Sequence, residues 1–241
     1  MKQMELSEQP QRALREDVMA DIVGPAQPSA RIGLPQEAAK RALDVTIGLI
    51  AIIVFGPLLL LLCGLVQWTS PGPALFRQER LCRDKRHFTM LKLRTMRVNS
   101  DDRIHRDFVA SLLRDEQSAG DGSNRLYKLE NDPRVTPLGA WLRRTSLDEL
   151  PQLLNVLKGE MSLVGPRPSL PWEAEIYPEE FQQRFQVKPG MTGLWQIRGR
   201  SRLSAREGLE LDVEYVRTRS FALDIMILLG TLPALLRGGA R

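Results

Sequence analysis

The sequence predicts an α+β fold, mostly helical, with one segment embedded in a membrane, and three observations carry that expectation. Val45 to Val66 runs 22 residues without a charge, long enough at helical rise for a hydrocarbon core of about 30 Å. Leu150, Leu153, Leu154 and Leu157 fall at the i, i+3, i+4, i+7 spacing of an amphipathic helix. Ala74 to Gln78 and His87 to Arg94 read as short strands behind the turn Pro71-Gly72-Pro73. With 43% of 241 residues apolar, the composition supports a packed core and excludes disorder throughout.

In chain order, residues 1–36 are polar, aperiodic and dotted with Pro10, Pro25, Pro28 and Pro35. They predict a disordered arm with a short helix near Gln11 to Met19 and no chemistry. Their start lacks the pattern of a removable signal peptide. Residues 37–70 are the membrane helix. Gly56-Pro57 lies at its middle, where Pro57 has no amide to donate and crowds the carbonyl of Ile53, predicting a kink or break. Arg31, Lys40 and Arg41 precede the run, and Arg77, Arg80, Arg83, Lys85 and Arg86 follow it, so positive-inside counting marks neither side as translocated. Hydropathy alone therefore admits two topologies: a re-entrant hairpin with both ends cytoplasmic, or a single pass with the arm outside.

Residues 71–241 form the remaining domain. Asp101 to Asp115 reads as a polar helix and Ser118 to Asn124 as a loop. Thr136-Pro137 is an N-cap with proline at the first helical position, opening a short helix through Arg144. Phe221 to Leu236 is apolar apart from Asp224, too short and interrupted to span, and suited to lying on a membrane surface.

Lys and Arg number 34 against 29 Asp and Glu, a net +5. Arg77 to Arg97 holds eight of these cations against Glu79 and Asp84, so one segment supplies the whole excess and points to anionic partners such as phosphates, nucleic acid or lipid headgroups. Cys63 and Cys82 alone exclude a disulfide framework and suit a reducing compartment. His87 and His105 stand apart, against a zinc site. The phosphate-loop, dinucleotide, nucleophile-elbow and zinc-protease motifs are absent.

The candidate chemistry lies in less common patterns. Asp148 and Glu149 fall off the apolar stripe at a helix start fixed by Pro151, where the positive helix end favours ionised carboxylates able to act as nucleophile or metal ligand. The competing structural reading is a capping box, Ser146-x-x-Glu149. Gly165-Pro166-Arg167-Pro168 is a stiff turn that holds Arg167 for a phosphate or base edge, or leaves it a solvated surface arginine. Lys188-Pro189-Gly190-Met191 has the residues of a type II turn. Arg198-Gly199-Arg200 suits a diphosphate, though paired surface arginines are common. Lys92 and Arg94 share one side of an alternating segment, with Leu91 and Leu93 on the other, as a site element or a basic face toward anionic lipid. A helix-turn-helix beginning at Thr145 is excluded because Gly165, Pro166 and Pro168 fall where its recognition helix would lie, so no nucleic-acid partner is expected.

Six stretches in order, Lys40 to Asp44 before the proline-broken run, Lys92 to Met96, Arg144 to Gln152, Leu163 to Pro168, Lys188 to Gly193 and Leu211 to Val216, resemble those of the bacterial polyprenyl-phosphate hexose-1-phosphate transferases. These are the monotopic phosphoglycosyl transferases, here in a short form covering about residues 38–241. The resemblance implies a monotopic membrane protein with a proline-broken re-entrant helix over residues 37–70 and a catalytic domain over 71–241 at the cytoplasmic face of the bacterial inner membrane. It implies Asp148 as nucleophile, Glu149 with Asp148 as ligands of a required Mg2+, and Arg143, Arg167, Arg198 and Arg200 on the nucleotide and phosphates, with Lys92 close by. Family members often carry Asn where this chain has Arg198.

The implied partners are a UDP-sugar, polyprenyl phosphate and membrane lipid, with a homodimer left open. The implied reaction passes a hexose 1-phosphate to the lipid through an aspartyl phosphosugar, releasing UMP, as the first membrane step of exopolysaccharide, capsule or O-antigen synthesis, with galactose or glucose as the sugar. Two rivals remain: a non-catalytic membrane anchor whose basic domain binds lipid or a partner, and a glycosyltransferase that breaks the anomeric bond and releases UDP.

Overall fold

The computed structural model describes residues 34–98, 132, 134–199 and 203–237, so the expected polar helix at 101–115, the loop at 118–124 and most of the N-terminal arm lie outside the described residues. The chain is mostly helical with a few short strands. Helix α1, Leu34–Thr69, takes in residues 34–36 as well as the membrane run and contains Pro57 within its span. Just 11% of its most apolar window is buried in the protein, which distinguishes it from the core helix of a soluble domain. Ile53 and Leu60 are 68% and 76% exposed.

Both ends of α1 are nevertheless fastened to the folded domain. In its first turns Lys40 reaches Asp224 and the carbonyl of Val164, Arg41 donates to the carbonyls of Val156 and Leu157, and buried Asp44 accepts from Ser162 and the amide of Leu163. Toward its C-terminus, Leu62 and Val66 pack with Ala74, Leu93 and Leu142. The basic and acidic residues flanking the apolar run thus act as polar anchors, satisfying helix-end and strand groups that would otherwise be buried without partners.

Strands β1 (Leu75–Leu81) and β2 (His87–Leu93) form an antiparallel hairpin in the register Leu75 opposite Leu93. Phe88 and Met90 of β2 enter one apolar cluster and Leu93, on the opposite side of the strand, enters another, while Lys92 shares the side of Phe88 and Met90 but remains partly exposed near the strand's end. Arg94 departs from the expected pairing with Lys92. It is buried and donates to the carbonyls of Ser70 and Pro71 at the end of α1.

Helix α2 (Pro137–Thr145) begins as its sequence demands, with Thr136 accepting from the amide of Gly139. A short 3-10 turn, Leu147–Glu149, precedes α3 (Gln152–Lys158). Strands β3 (Ser162–Val164) and β4 (Gly190–Thr192) pair in parallel. The type II turn expected at Lys188 to Met191 does not form, because Gly190 opens β4 and is not among the residues with positive φ. Its missing side chain serves close approach instead: a Cβ there would sit 2.1 Å from the amide nitrogen of Gly165.

Beyond lie α4 (Pro171–Ile176), a 3-10 segment Glu179–Gln186, α5 (Leu194–Arg198), α6 (Ala205–Thr218) and α7 (Phe221–Arg237). Helix α7 is anchored by the domain as well as apolar outside: Leu223 and Ile227 are buried in the main cluster, whereas Leu229 is 72% exposed.

Candidate active site

Ser146 governs the local path of the chain at the two acids. It closes α2 in the left-handed conformation (φ 57) and makes no side-chain cap. The capping-box alternative for Ser146 and Glu149 is therefore absent, and the carboxylates sit on the 3-10 turn rather than in the first turn of an α-helix. Leu147 on one side packs with the cluster of Leu62, Leu93 and Leu142, and Leu150 on the other packs against the main core. Asp148 and Glu149 are thus held between two apolar anchors, as a rigid site needs.

Asp148 is 8% exposed and Glu149 lies nearer solvent. Lys92 Nζ donates to Glu149 Oε1 at 3.1 Å, tying β2 to the turn. Arg143 on α2 donates through Nε to Thr95 Oγ1 at 2.9 Å. Burial pulls the Arg143 guanidinium below its ordinary range, and the charges of Asp148 and Asp132 oppose that pull. Arg134 in turn holds Asp132 below the usual carboxylate range through their hydrogen bond. The structure thus brings together Lys92, Arg143, Asp148 and Glu149 from three separate segments.

Beside the turn of Arg167 stands a residue the sequence does not single out. Arg80 of β1 is buried, donates to the carbonyl of Pro168 and to Gln78, lies 3.8 Å from Glu173, and feels the charges of Arg167, Glu173 and, more weakly, Glu149. Burial, with Arg167 beside it, brings its pKa down to about 10. Arg80 had counted only toward the basic run, and a buried arginine leaves no mark in a sequence beyond its charge. Thr95, within the Lys92 to Met96 stretch, likewise carries no mark in the sequence of its contact with Arg143. Arg198 is not brought to the carboxylates; it pairs with Glu214 of α6 at 2.8 Å. Arg200 lies outside the described residues.

Two carboxylates side by side, with cations on their flanks, suit phosphate chemistry: ionised carboxylates can take a divalent cation or attack phosphorus, and the cations can balance anionic oxygens. Among the described residues no group of three or more His, Cys, Asp or Glu converges. Asp148 and Glu149 alone fit magnesium, which characteristically binds one or two carboxylates and completes its shell with water and substrate phosphate.

Comparison with known proteins agrees with this chemistry. The family model for bacterial sugar transferases matches residues 35–238. The chain is 44% identical over 208 residues to an uncharacterized sugar transferase of Haemophilus influenzae, covering 86% of this chain and 43% of that protein. It is 41% identical over 196 residues to the exopolysaccharide production protein ExoY of Sinorhizobium fredii, covering 81% and 84%. To the UDP-glucose:undecaprenyl-phosphate glucose-1-phosphate transferase of Caulobacter vibrioides it is 38% identical over 220 residues, covering 88% and 74%. The chain therefore spans less than half of the Haemophilus protein but most of the other two, and the matched region contains every residue of the site described above: it belongs to the bacterial sugar transferase family.

Proposed function

We propose that this chain transfers a hexose 1-phosphate from a UDP-hexose to polyprenyl phosphate at the cytoplasmic face of the bacterial inner membrane, as the first membrane step in building an exopolysaccharide, capsule or O-antigen. The convergence of Asp148 and Glu149 with Lys92 and Arg143 carries this reading, and the Caulobacter relative is named for such a transfer. A carboxylate oxygen of Asp148 attacks the phosphorus that bears the sugar, the bond from that phosphorus to the bridging oxygen breaks, and UMP leaves with the electron pair. A phosphate oxygen of the polyprenyl phosphate then attacks the same phosphorus and frees the Asp148 carboxylate, giving the lipid diphosphate sugar.

Asp148 and Glu149 would hold magnesium, which when bound neutralises charge on the diphosphate. Lys92 keeps Glu149 oriented, and Arg143, Arg167 and Arg200 are the cations offered to the nucleotide and phosphates, while Arg198 is held by Glu214. Thr95 fixes the guanidinium of Arg143.

The membrane part of the reading is a re-entrant α1. A single pass would set the Lys40–Asp44 anchors and the Leu62–Val66 contacts on opposite faces of the bilayer, whereas both dock on one domain. Such a hairpin brings a soluble donor and a lipid acceptor to one surface. Single cysteines at Ser29 and Ser201, in a Cys-free background, should both resist a membrane-impermeant thiol reagent in intact cells; labelling at 29 alone would show a single pass.

The chemical test is a panel of UDP-hexoses, including UDP-glucose and UDP-galactose, with magnesium and no acceptor. The expected result is exchange of labelled UMP into the UDP-hexose. Release of UDP with acceptor present would replace the reading with a glycosyltransferase, and inertness with every donor and acceptor would replace it with a membrane anchor.

A further inference from the structure

The turn that carries Arg167 is built so that its backbone has few internal partners. Pro166 and Pro168 have no amide to donate, leaving Arg167 as the donor between them. From one side Arg80 takes the carbonyl of Pro168 at 2.9 Å. From the other, Arg184 Nη2 on the 3-10 segment donates at once to the carbonyl of Arg167 at 2.8 Å and to Asp212 Oδ2 on α6 at 2.6 Å. The amide of Arg167 in turn favours the charged form of Asp212. Arg184 and Asp212 are 4% and 3% exposed, and the ring of Tyr177 lies 5.1 Å from the Arg184 guanidinium.

We infer that Arg184 and Asp212 are positioning residues for Arg167: the pair holds both polar groups of the Arg167 peptide and so fixes the direction in which that arginine meets the donor phosphates. The inference rests on the proposed role of Arg167 and adds two residues that do not themselves touch substrate. A purely structural ion pair has no need to reach a third residue's backbone, and an interior pair is a costly way to gain stability alone. What the arrangement supplies is direction, since a residue gripped at its amide on one side of Cα and at its carbonyl on the other has both backbone dihedrals fixed.

The pair also makes the grip responsive to protons. Asp212 is raised to about 6, chiefly by burial, with Arg184 and then the Arg167 amide and charge opposing. The charged and titratable groups around the pair include Arg167 on the turn, Tyr177 after α4 with Glu173 of α4 accepting from its hydroxyl, and Lys85, which lies over the ring of Phe185 next to Arg184. Protonation of Asp212 removes the charge that holds Arg184 against the Arg167 carbonyl.

The experiment measures equilibrium binding of whichever UDP-hexose supports UMP exchange, to the full chain in detergent. An Asp148→Asn background prevents its consumption. Affinity should fall about tenfold between pH 7 and pH 5, the size expected for one charge-assisted contact. With Asp212→Asn added, affinity at pH 7 should already be that low and should not change with pH. Because Asp212→Asn leaves a buried guanidinium alone, the double change Asp212→Asn/Arg184→Met, which removes both charges, is measured beside it and should show the same weak, pH-independent binding with a melting temperature near the parent's. Binding by the double variant as tight and as pH-dependent as the parent overturns the inference. Arg167→Ala separates the two levels: weakened binding there with an unaffected double variant leaves the proposed function standing without the positioning pair. Undiminished binding by Arg167→Ala removes Arg167 from the phosphates and the inference with it.

Discussion

Two ion pairs in this protein are alike on paper and opposite in setting. Lys92–Glu149 joins β2 to the 3-10 turn at 3.1 Å with side chains 22% and 34% exposed. Arg184–Asp212 joins the second 3-10 segment to α6 at 2.6 Å with side chains 3% and 4% exposed. An exposed pair contributes about 0–1 kcal/mol because water and salt screen it. A buried pair has lost the hydration of both ions and is strongly destabilised when one partner is removed, by about 3–5 kcal/mol. The open pair is therefore exchangeable: either partner can turn to a substrate or a cation at little cost to the fold. The closed pair is fixed geometry. A basic and an acidic side chain thus mark candidate chemistry in one place and architecture in the other, and solvent access tells them apart.

The sharpest way to break the comparison is at the open site. Asp148→Asn keeps the volume and a hydrogen-bonding oxygen but loses the proposed nucleophile, so UMP release should fall by about a thousandfold or more, while the melting temperature stays close to the parent's. A folded variant with substantial activity would remove Asp148 from the chemistry. Glu149→Gln comes next. Losing a proposed ligand to magnesium and the partner of Lys92, it should reduce activity about 10- to 100-fold. The magnesium titration should shift to higher concentration, and stability should change by less than about 1 kcal/mol. An unshifted titration would limit Glu149 to its pairing with Lys92.

What the sequence made legible follows from which of these settings each residue occupies. Period and punctuation placed the long apolar helix, the Thr136-capped helix through residue 144 and both strands of the hairpin, because these depend on neighbours in the chain. The capping box that competes with the candidate site at Ser146 and Glu149 does not form, since Ser and Glu three apart satisfy that pattern whether or not serine adopts a left-handed conformation. Gly190 was misjudged as a turn glycine for a like reason: Pro-Gly suits a type II turn, but the approach of Gly165 from across the parallel strands is a tertiary contact. Of the expected site residues, Lys92, Arg143, Asp148 and Glu149 do come together. Arg80 went unnoticed because its role depends on burial between two segments about ninety residues apart. Arg184–Asp212 went unnoticed for the same reason, although Asp212 stood inside a quoted stretch.

The closed pair yields a smaller effect with an unusual sign. Asp212 titrates near 6 in the folded protein, above the unfolded value of about 3.9. Between those limits the folded state binds the extra proton, so this group makes the protein more stable as pH falls from 7 toward 4. Its slope is at most about 1.4 kcal/mol per pH unit. Asp132 acts in the opposite sense and in a lower window: its depressed pKa gives stability that is present above about 4 and is lost as pH falls further. Urea midpoints between pH 7 and pH 5 should therefore rise in the parent relative to Asp212→Asn/Arg184→Met. Parallel curves would mean that Asp212 keeps an ordinary pKa and that the buried pair is charged throughout this range.

The smallest expected effect tests a residue that sequence reasoning grouped with the site. Arg198 ends α5 and pairs with Glu214 one helix away, with side chains 29% and 33% exposed. By solvent access this is an open pair like Lys92–Glu149, yet its partner is not one of the two candidate carboxylates at residues 148 and 149. Asparagine at this position would offer hydrogen bonds without charge. Arg198→Asn should therefore change stability by less than about 0.5 kcal/mol. It should leave the KM for the UDP-hexose within about twofold, the loss expected when a screened surface contact is removed. A tenfold rise in KM with unchanged kcat would show that Arg198 leaves Glu214 to hold the donor. Exposure would then mark this pair, like Lys92–Glu149, as one whose cation is free to turn toward phosphate.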